Sequence, residues 1–192
     1  GGTNAAAGAS KTAAFVMFDA FRFDENHNLY YFSSCASPTS SYNSSTTTVK
    51  LMRVGQDESG NAKTAEFVAG QCTTPAAPTS GALVDATPLG LGTSIGMSDL
   101  AVWNNGDMIY YRLGNQDRAY KIVTISGSEK RIYSTNLTNP TITSGGLAYS
   151  KLTGHIYFAT GKVEAWNPTA TASSETSAGI LAASAGTGVN CY

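Results

Sequence analysis

One pattern recurs three times along this chain at one spacing. An apolar stretch runs into a polar turn, and eight residues past a fixed point an aliphatic residue is followed by Tyr and then a second aromatic. The copies are Ala20-Phe21-Arg22-Phe23 to Leu29-Tyr30-Tyr31, Leu100-Ala101-Val102-Trp103 to Ile109-Tyr110-Tyr111, and Leu147-Ala148-Tyr149-Ser150 to Ile156-Tyr157-Phe158. A strand–turn–strand unit repeated in this way marks a modular β architecture.

The flanking residues extend each copy toward a four-stranded unit. In the first, Phe15 to Phe18 and Phe21 to Phe23 are rich in β-formers, Asp24 to Asn28 supplies a turn, and Leu29 to Phe32 returns. A Ser/Thr loop over 33–48 then leads to Thr48–Val54, a turn at Asp57 to Asn61, and a last strand over Thr64 to Ala69. The second unit reads the same way. Asn-Gly at 105–106 tolerates positive φ and favours a tight hairpin, and Ala119 to Ile125 and Lys130 to Ser134 are its later strands. The third holds Gly146 to Ser150, Ile156 to Thr160 and Lys162 to Trp166. The expected organisation is a lead-in over 1–12, one all-β repeat domain over 13–167 (units about 15–70, 97–135 and 145–167), and a Ser/Ala/Gly-rich segment over 168–192. Within that last segment, residues 177–184 suit a short strand or a helical turn. Residues 73–96, with their prolines and glycines, read as a linker or an extended edge passage rather than a helix.

Composition narrows the function classes. Charged residues make up 13% of the chain, about half of the ~25% usual for soluble domains. Small hydroxyl and amide side chains fill the gap, a composition common outside the cell. The net charge is −1 and no Lys/Arg run exceeds two residues, so the concentrated basic face that nucleic-acid binding needs is absent from the sequence. No apolar run approaches the ~20 residues of a membrane-spanning helix. The chain opens on Gly1-Gly2 without an initiator Met, as expected of a mature product.

Cys35 and Cys72 follow the second and fourth strands of the first unit, so a bridge between them would staple that unit; Cys191 is the odd one. Asp24-x-Asn26-x-Asn28 spaces oxygens as calcium loops do, but the equivalent turns of the other units lack the pattern, which favours a hairpin role. The cysteine and histidine spacings fit no zinc pattern, so neither metal nor cofactor is expected. Asn43-Ser-Ser and Asn136-Leu-Thr are N-glycosylation sequons in polar stretches. No nucleophile elbow, zincin motif or phosphate-cradling glycine loop is present, and a carboxylate pair drawn from Asp19, Asp24, Asp99 or Glu164 has no spacing to support it. The paired aromatics alternate faces in a strand, so one of each pair enters the core while the other meets a neighbouring sheet or solvent. Trp103 and Trp166, each followed by a polar turn, together with Tyr111 and Arg112, are the candidate ligand-binding residues; inter-sheet packing is the competing role for the aromatics.

The stretches Ser98 to Tyr111 and Gly146 to Ala159 resemble the middle strands of β-propeller blades of secreted and surface proteins, the fucose-lectin propellers among them. That resemblance implies antiparallel four-stranded blades. It also implies sugar sites built from an Arg, a Glu and a Trp of adjoining blades, for which Arg112, Glu129, Glu164 and Trp166 are scattered candidates. Three blades of ordinary width do not close a ring, so the expectation is a degenerate fourth blade, a six-bladed ring completed by a second chain, or sheets that stack without closing and leave edges to be covered by another subunit. The expected function is a secreted or cell-surface binding protein, lectin-like or adhesive and not catalytic, a homo-oligomer with a carbohydrate or surface-protein partner. A pilin-like or matrix subunit of a surface filament and a glycoside hydrolase on a β scaffold are the alternatives.

Overall fold

The computed structural model describes residues 20–35, 48–74, 76–90, 99–103, 106–113, 118–138, 146–159 and 163–180. Among these residues the fold is all-β. The first sheet runs β1 (Phe21–Phe23), β2 (Leu29–Ser34), β3 (Thr48–Val54), β4 (Glu66–Ala69), with the short β5 (Leu89–Gly90) paired to the start of β3. The second runs β6 (Asp99–Trp103), β7 (Met108–Arg112), β8 (Arg118–Ser126), β9 (Glu129–Thr138). The third runs β10 (Leu147–Ser150), β11 (His155–Ala159), β12 (Val163–Asn167), β13 (Thr176–Ile180). Every pairing is antiparallel between sequence neighbours, β5 apart. No helix among the described residues is long and apolar enough to cross a membrane.

The three repeats are thus the first hairpins of three sheets. In the second and third the register agrees, with Ala101↔Tyr110 and Ala148↔Tyr157 opposed. The first differs by one residue: Arg22, not Phe21, opposes Tyr30. Its five-residue turn (24–28) is built on Asp24, whose Oδ1 accepts from the Asn26 and Asn28 amides at 2.9 Å and whose Oδ2 accepts from Asn28 Nδ2 at 2.7 Å. Asp57 makes the same turn with Ser59 and Asn61. Carboxylates occupied by amide donors in this way are hairpin formers, which is how the calcium-like triplet at Asp24 is used.

Alternation along β2 and β7 sends successive aromatics to opposite faces, and the sheets stack on those faces. Tyr30 and Phe32 of the first sheet share a core with Leu100, Val102, Ile109, Tyr111 and Ile122 of the second. Tyr110, Met108 and Val123 of the second share another with Leu147, Ile156 and Phe158 of the third. Phe32 meets Tyr111 edge-on at 6.2 Å, and Trp103 meets Tyr149 at 5.8 Å. Between sheets, the first strands come together: β6 lies beside both β1 and β10. The described sheets form an open stack and do not close on one another.

One boundary differs from expectation, and one passage takes the second of its two expected forms. The third unit does not stop at 167, because β13 from the C-terminal segment supplies its fourth strand. The passage after β4 is the extended edge segment rather than a free linker. Val84 accepts from the Gly70 amide and donates to Lys130, while Ala82 and Gly81 bond Ile132, so the segment is stitched to the end of β4 and to β9 together. Cys35 and Cys72 are bridged, their Cα atoms 5.4 Å apart, which ties the ends of β2 and β4. Cys191, Asn43, Asp19 and the Phe15 to Phe18 stretch lie outside the described residues.

Candidate functional site

The four residues proposed for ligand contact lie within or between sheets. Tyr111 is fully buried in the core of the first two sheets and stacks on Tyr120 at 5.9 Å. Arg112, 1% exposed, is equally interior. It sits opposite Asp99 at the end of the β6–β7 pair, its Nε 3.2 Å from Asp99 Oδ2. Neither is an exposed platform: alternation sends the two to opposite faces of β7, and both faces are covered. Trp103 and Trp166 are half-buried against the core between the second and third sheets, so inter-sheet packing is their role there. Glu164 faces Phe158 in the third sheet, far in the chain from Glu129 on β9. The Arg, Glu and Trp candidates are thus spread over β7, β9 and β12, in two different sheets. Asn136 is half-buried on β9 with its Nδ2 donating to the Glu175 carbonyl, so the nitrogen a glycan would join is already engaged.

A cleft of about 400 Å³ opens between the first and second sheets. One wall is a single rung of the first sheet: Tyr30, Arg53 and Glu66 stand opposite one another across β2, β3 and β4. The other wall is Gly106, Ile109 and the β8–β9 turn, with Ser128, Glu129 and Lys130. The stitched passage closes one side with Leu83, Val84 and Asp85. Phe67 and Leu83, 40% and 41% exposed, give the cleft an apolar rim.

Its charges are layered by depth. Glu66, Asp85 and Glu129 are exposed, whereas Arg53 and Lys130 are half-buried. Glu129 is bound by Arg131 Nε at 2.8 Å. Glu66 lies 3.5 Å from Arg53 Nη1, and Arg53 Nε is buried without a hydrogen-bond partner. Lys130 Nζ donates to Gly106 O and Thr124 Oγ1. Burial lowers the Lys130 pKa; Asp107 opposes that shift and the Arg53 charge adds to it. Burial is also the main reason the Tyr30 hydroxyl titrates well above an ordinary phenol. A cleft with an aromatic rim, exposed acids and half-buried cations offers stacking area plus many hydrogen-bond partners. Of these residues the sequence singled out Glu129 and, as one of the paired aromatics, Tyr30. The available signal was the cation near a strand end, at Arg53 and Lys130, beside apolar alternation.

A second polar cluster lies between the second and third sheets and is filled. Lys121 Nζ donates to Thr169 O at 2.7 Å, to Thr171 O and to Glu175 Oε1; both charged side chains are fully buried. Tyr110 donates to the same carboxylate at 3.5 Å and accepts from the Thr169 amide at 3.3 Å. Burial lowers the Lys121 pKa, and the bond to Glu175 opposes that shift.

No protein-family profile, no curated protein and no solved structure matches this chain.

Proposed function

We propose that the chain is a non-catalytic carbohydrate-binding protein of the cell exterior, with its ligand seated in the cleft between the first two sheets. The observation that carries this reading is the cleft itself: about 400 Å³, room for a short saccharide, with Phe67 on the rim and five charged side chains that hydroxyls can bridge. Exposed aromatic surface stacks on sugar rings with little rotamer entropy to lose. In this reading the sheets are three successive blades of a propeller-like body, supported by their antiparallel order and by the meeting of β1, β6 and β10. The Cys35–Cys72 bridge is compatible with an oxidising compartment. Hydrolysis is less well supported. A general acid has to hold its proton near neutral pH through burial, and the three cleft acids are exposed, two of them beside arginines.

Glycan-array screening followed by titration tests the reading. Binding is expected, and Phe67→Ala should weaken it at least tenfold while far-UV dichroism is unchanged. An array without a hit, or a hit indifferent to Phe67, would remove the cleft as the site.

One observation favours self-association as a second property. Tyr30 and Tyr110 are covered by the next sheet, but their equivalent Tyr157 is half-exposed on the outer face of the third sheet beside Ala148 and Val163. A second copy would cover that face. Sedimentation equilibrium should then show a dimer or larger species that Tyr157→Glu returns to monomer; a monomer at millimolar concentration excludes it.

A further inference from the structure

The cleft and the filled cluster occupy equivalent places in successive sheet interfaces. In the first sheet the rung is Tyr30, Arg53, Glu66; in the second it is Tyr110, Lys121, Tyr133. Both rungs set a tyrosine on the second strand beside a cation on the third. Each is overhung by the connection between the third and fourth strands of the next sheet. Over Tyr30 and Arg53 that connection is the two-residue turn 127–128, with Glu129 and Lys130 behind it. Over Tyr110 and Lys121 it is the eight-residue loop 168–175, which delivers the Glu175 carboxylate onto Lys121. The short turn leaves a cleft where the long loop leaves none.

We propose that the cleft binds a carboxylated saccharide whose carboxylate takes, on Arg53, the place that Glu175 takes on Lys121. This rests on the reading of the cleft as a carbohydrate site and names the class of sugar. The chain's own loop is the template for the ligand: a carboxylate flanked by neutral oxygens, lowered onto a cation beside a tyrosine.

Three observations in the cleft itself agree with this. Arg53 Nε is a buried donor with no partner, and a guanidinium is the side chain best shaped for a carboxylate. Its ion-pair partner, Glu66, is exposed and sits 3.5 Å away on Nη1, which leaves Nε uncommitted. Arg53 and Lys130 lie deeper than Glu66, Asp85 and Glu129, and Glu129 is held by Arg131. A ligand carboxylate seated at that depth lies beside the cations, while the exposed acids nearer the mouth are screened by solvent and salt. The phenol differs between the rungs. Tyr30 bonds Asp24 of its own hairpin, so its ring walls the site while Arg53 supplies the bond.

The test compares oligogalacturonate, a hyaluronan fragment and sialyllactose with their carboxyl methyl esters by titration calorimetry, at 0.05 and 0.3 M NaCl. At least one acid should bind at least tenfold more tightly than its ester, and only the acid should weaken as salt rises. Arg53→Gln should remove the difference between acid and ester, with far-UV dichroism unchanged to show that the variant is folded. Equal binding of acid and ester, unaffected by Arg53→Gln, would overturn the carboxylate assignment and leave the carbohydrate cleft standing. Failure of every saccharide, acidic, esterified or neutral, would overturn both readings. So would binding of an aspartate-rich peptide in their place.

Discussion

Gly106 sets how closely the first two sheets approach. Its φ is +88°, and a Cβ there would stand 2.2 Å from Tyr30 Oη. Gly106→Ala therefore meets two penalties. The left-handed backbone costs about 1 kcal/mol for a residue with a side chain, and moving a buried tyrosine adds roughly 1–3 kcal/mol. Urea denaturation should show a loss of about 2–4 kcal/mol; a loss below about 0.5 kcal/mol would mean that Tyr30 is not seated there. Asp99 makes a pH argument. Burial raises its pKa to about 6, against the pull of Arg112 and Arg22. A carboxyl whose folded pKa lies above its unfolded value binds its proton more tightly when folded. Its contribution is complete below the unfolded pKa and is lost as pH rises from about 4 to 6. Stability of the native chain minus that of Asp99→Asn should fall across that window, by at most about 1.4 kcal/mol per pH unit. A flat difference would place the carboxyl in water.

At the scale of elements, the last strand hangs on one buried pair. Thr176–Ile180 is mostly exposed and offers few apolar contacts, so the Lys121–Glu175 contact just before it is the anchor. Removing one partner leaves a buried charge, which typically costs 3–5 kcal/mol. Glu175→Ala should therefore destabilise the chain by about that amount and expose β13 amides to hydrogen exchange before those of β10 and β11. The double variant Lys121→Met with Glu175→Met should recover much of the loss; no recovery would mean that the loop is held by something else. The same pair explains what was legible in the sequence. The hairpins could be read because apolar alternation and turn residues are local signals, and Tyr30, Tyr110 and Tyr157 do stand at matching positions. β13 was not marked as part of the third sheet because Thr-Ser-Ala-Gly-Ile has little strand character; its place is set by a lysine 54 residues upstream. The cleft was hidden for a related reason. Tyr30, Arg53 and Glu66 become neighbours only through register across three strands. Arg112 misled because a cation at a strand end reads as exposed, yet here it is 1% exposed and faces Asp99.

In the whole molecule, stability passes between nearest neighbours, because the two main cores are each shared by two successive sheets. The first sheet differs from the others in carrying the covalent staple, which joins Cys35 to Cys72 across 37 residues. In the chain-entropy account a loop of that length is worth roughly 4 kcal/mol. The staple acts where the cleft is built, since β2, β3 and β4 provide its Tyr30–Arg53–Glu66 wall. Reduction should therefore not weaken the stack evenly. The staple lies wholly in the first sheet, whereas the second and third share a core with Phe158, Tyr110 and Leu147 that does not touch it. Hydrogen exchange under reductant should rise first in β2 to β4, while β7, β8 and β11 keep their protection to higher denaturant. Cys35→Ala with Cys72→Ala should reproduce the pattern without a reducing agent. Simultaneous loss of protection in all three sheets would mean that the interfaces are stronger than the sheets they join, so that the stack unfolds as one unit and the neighbour-by-neighbour account fails.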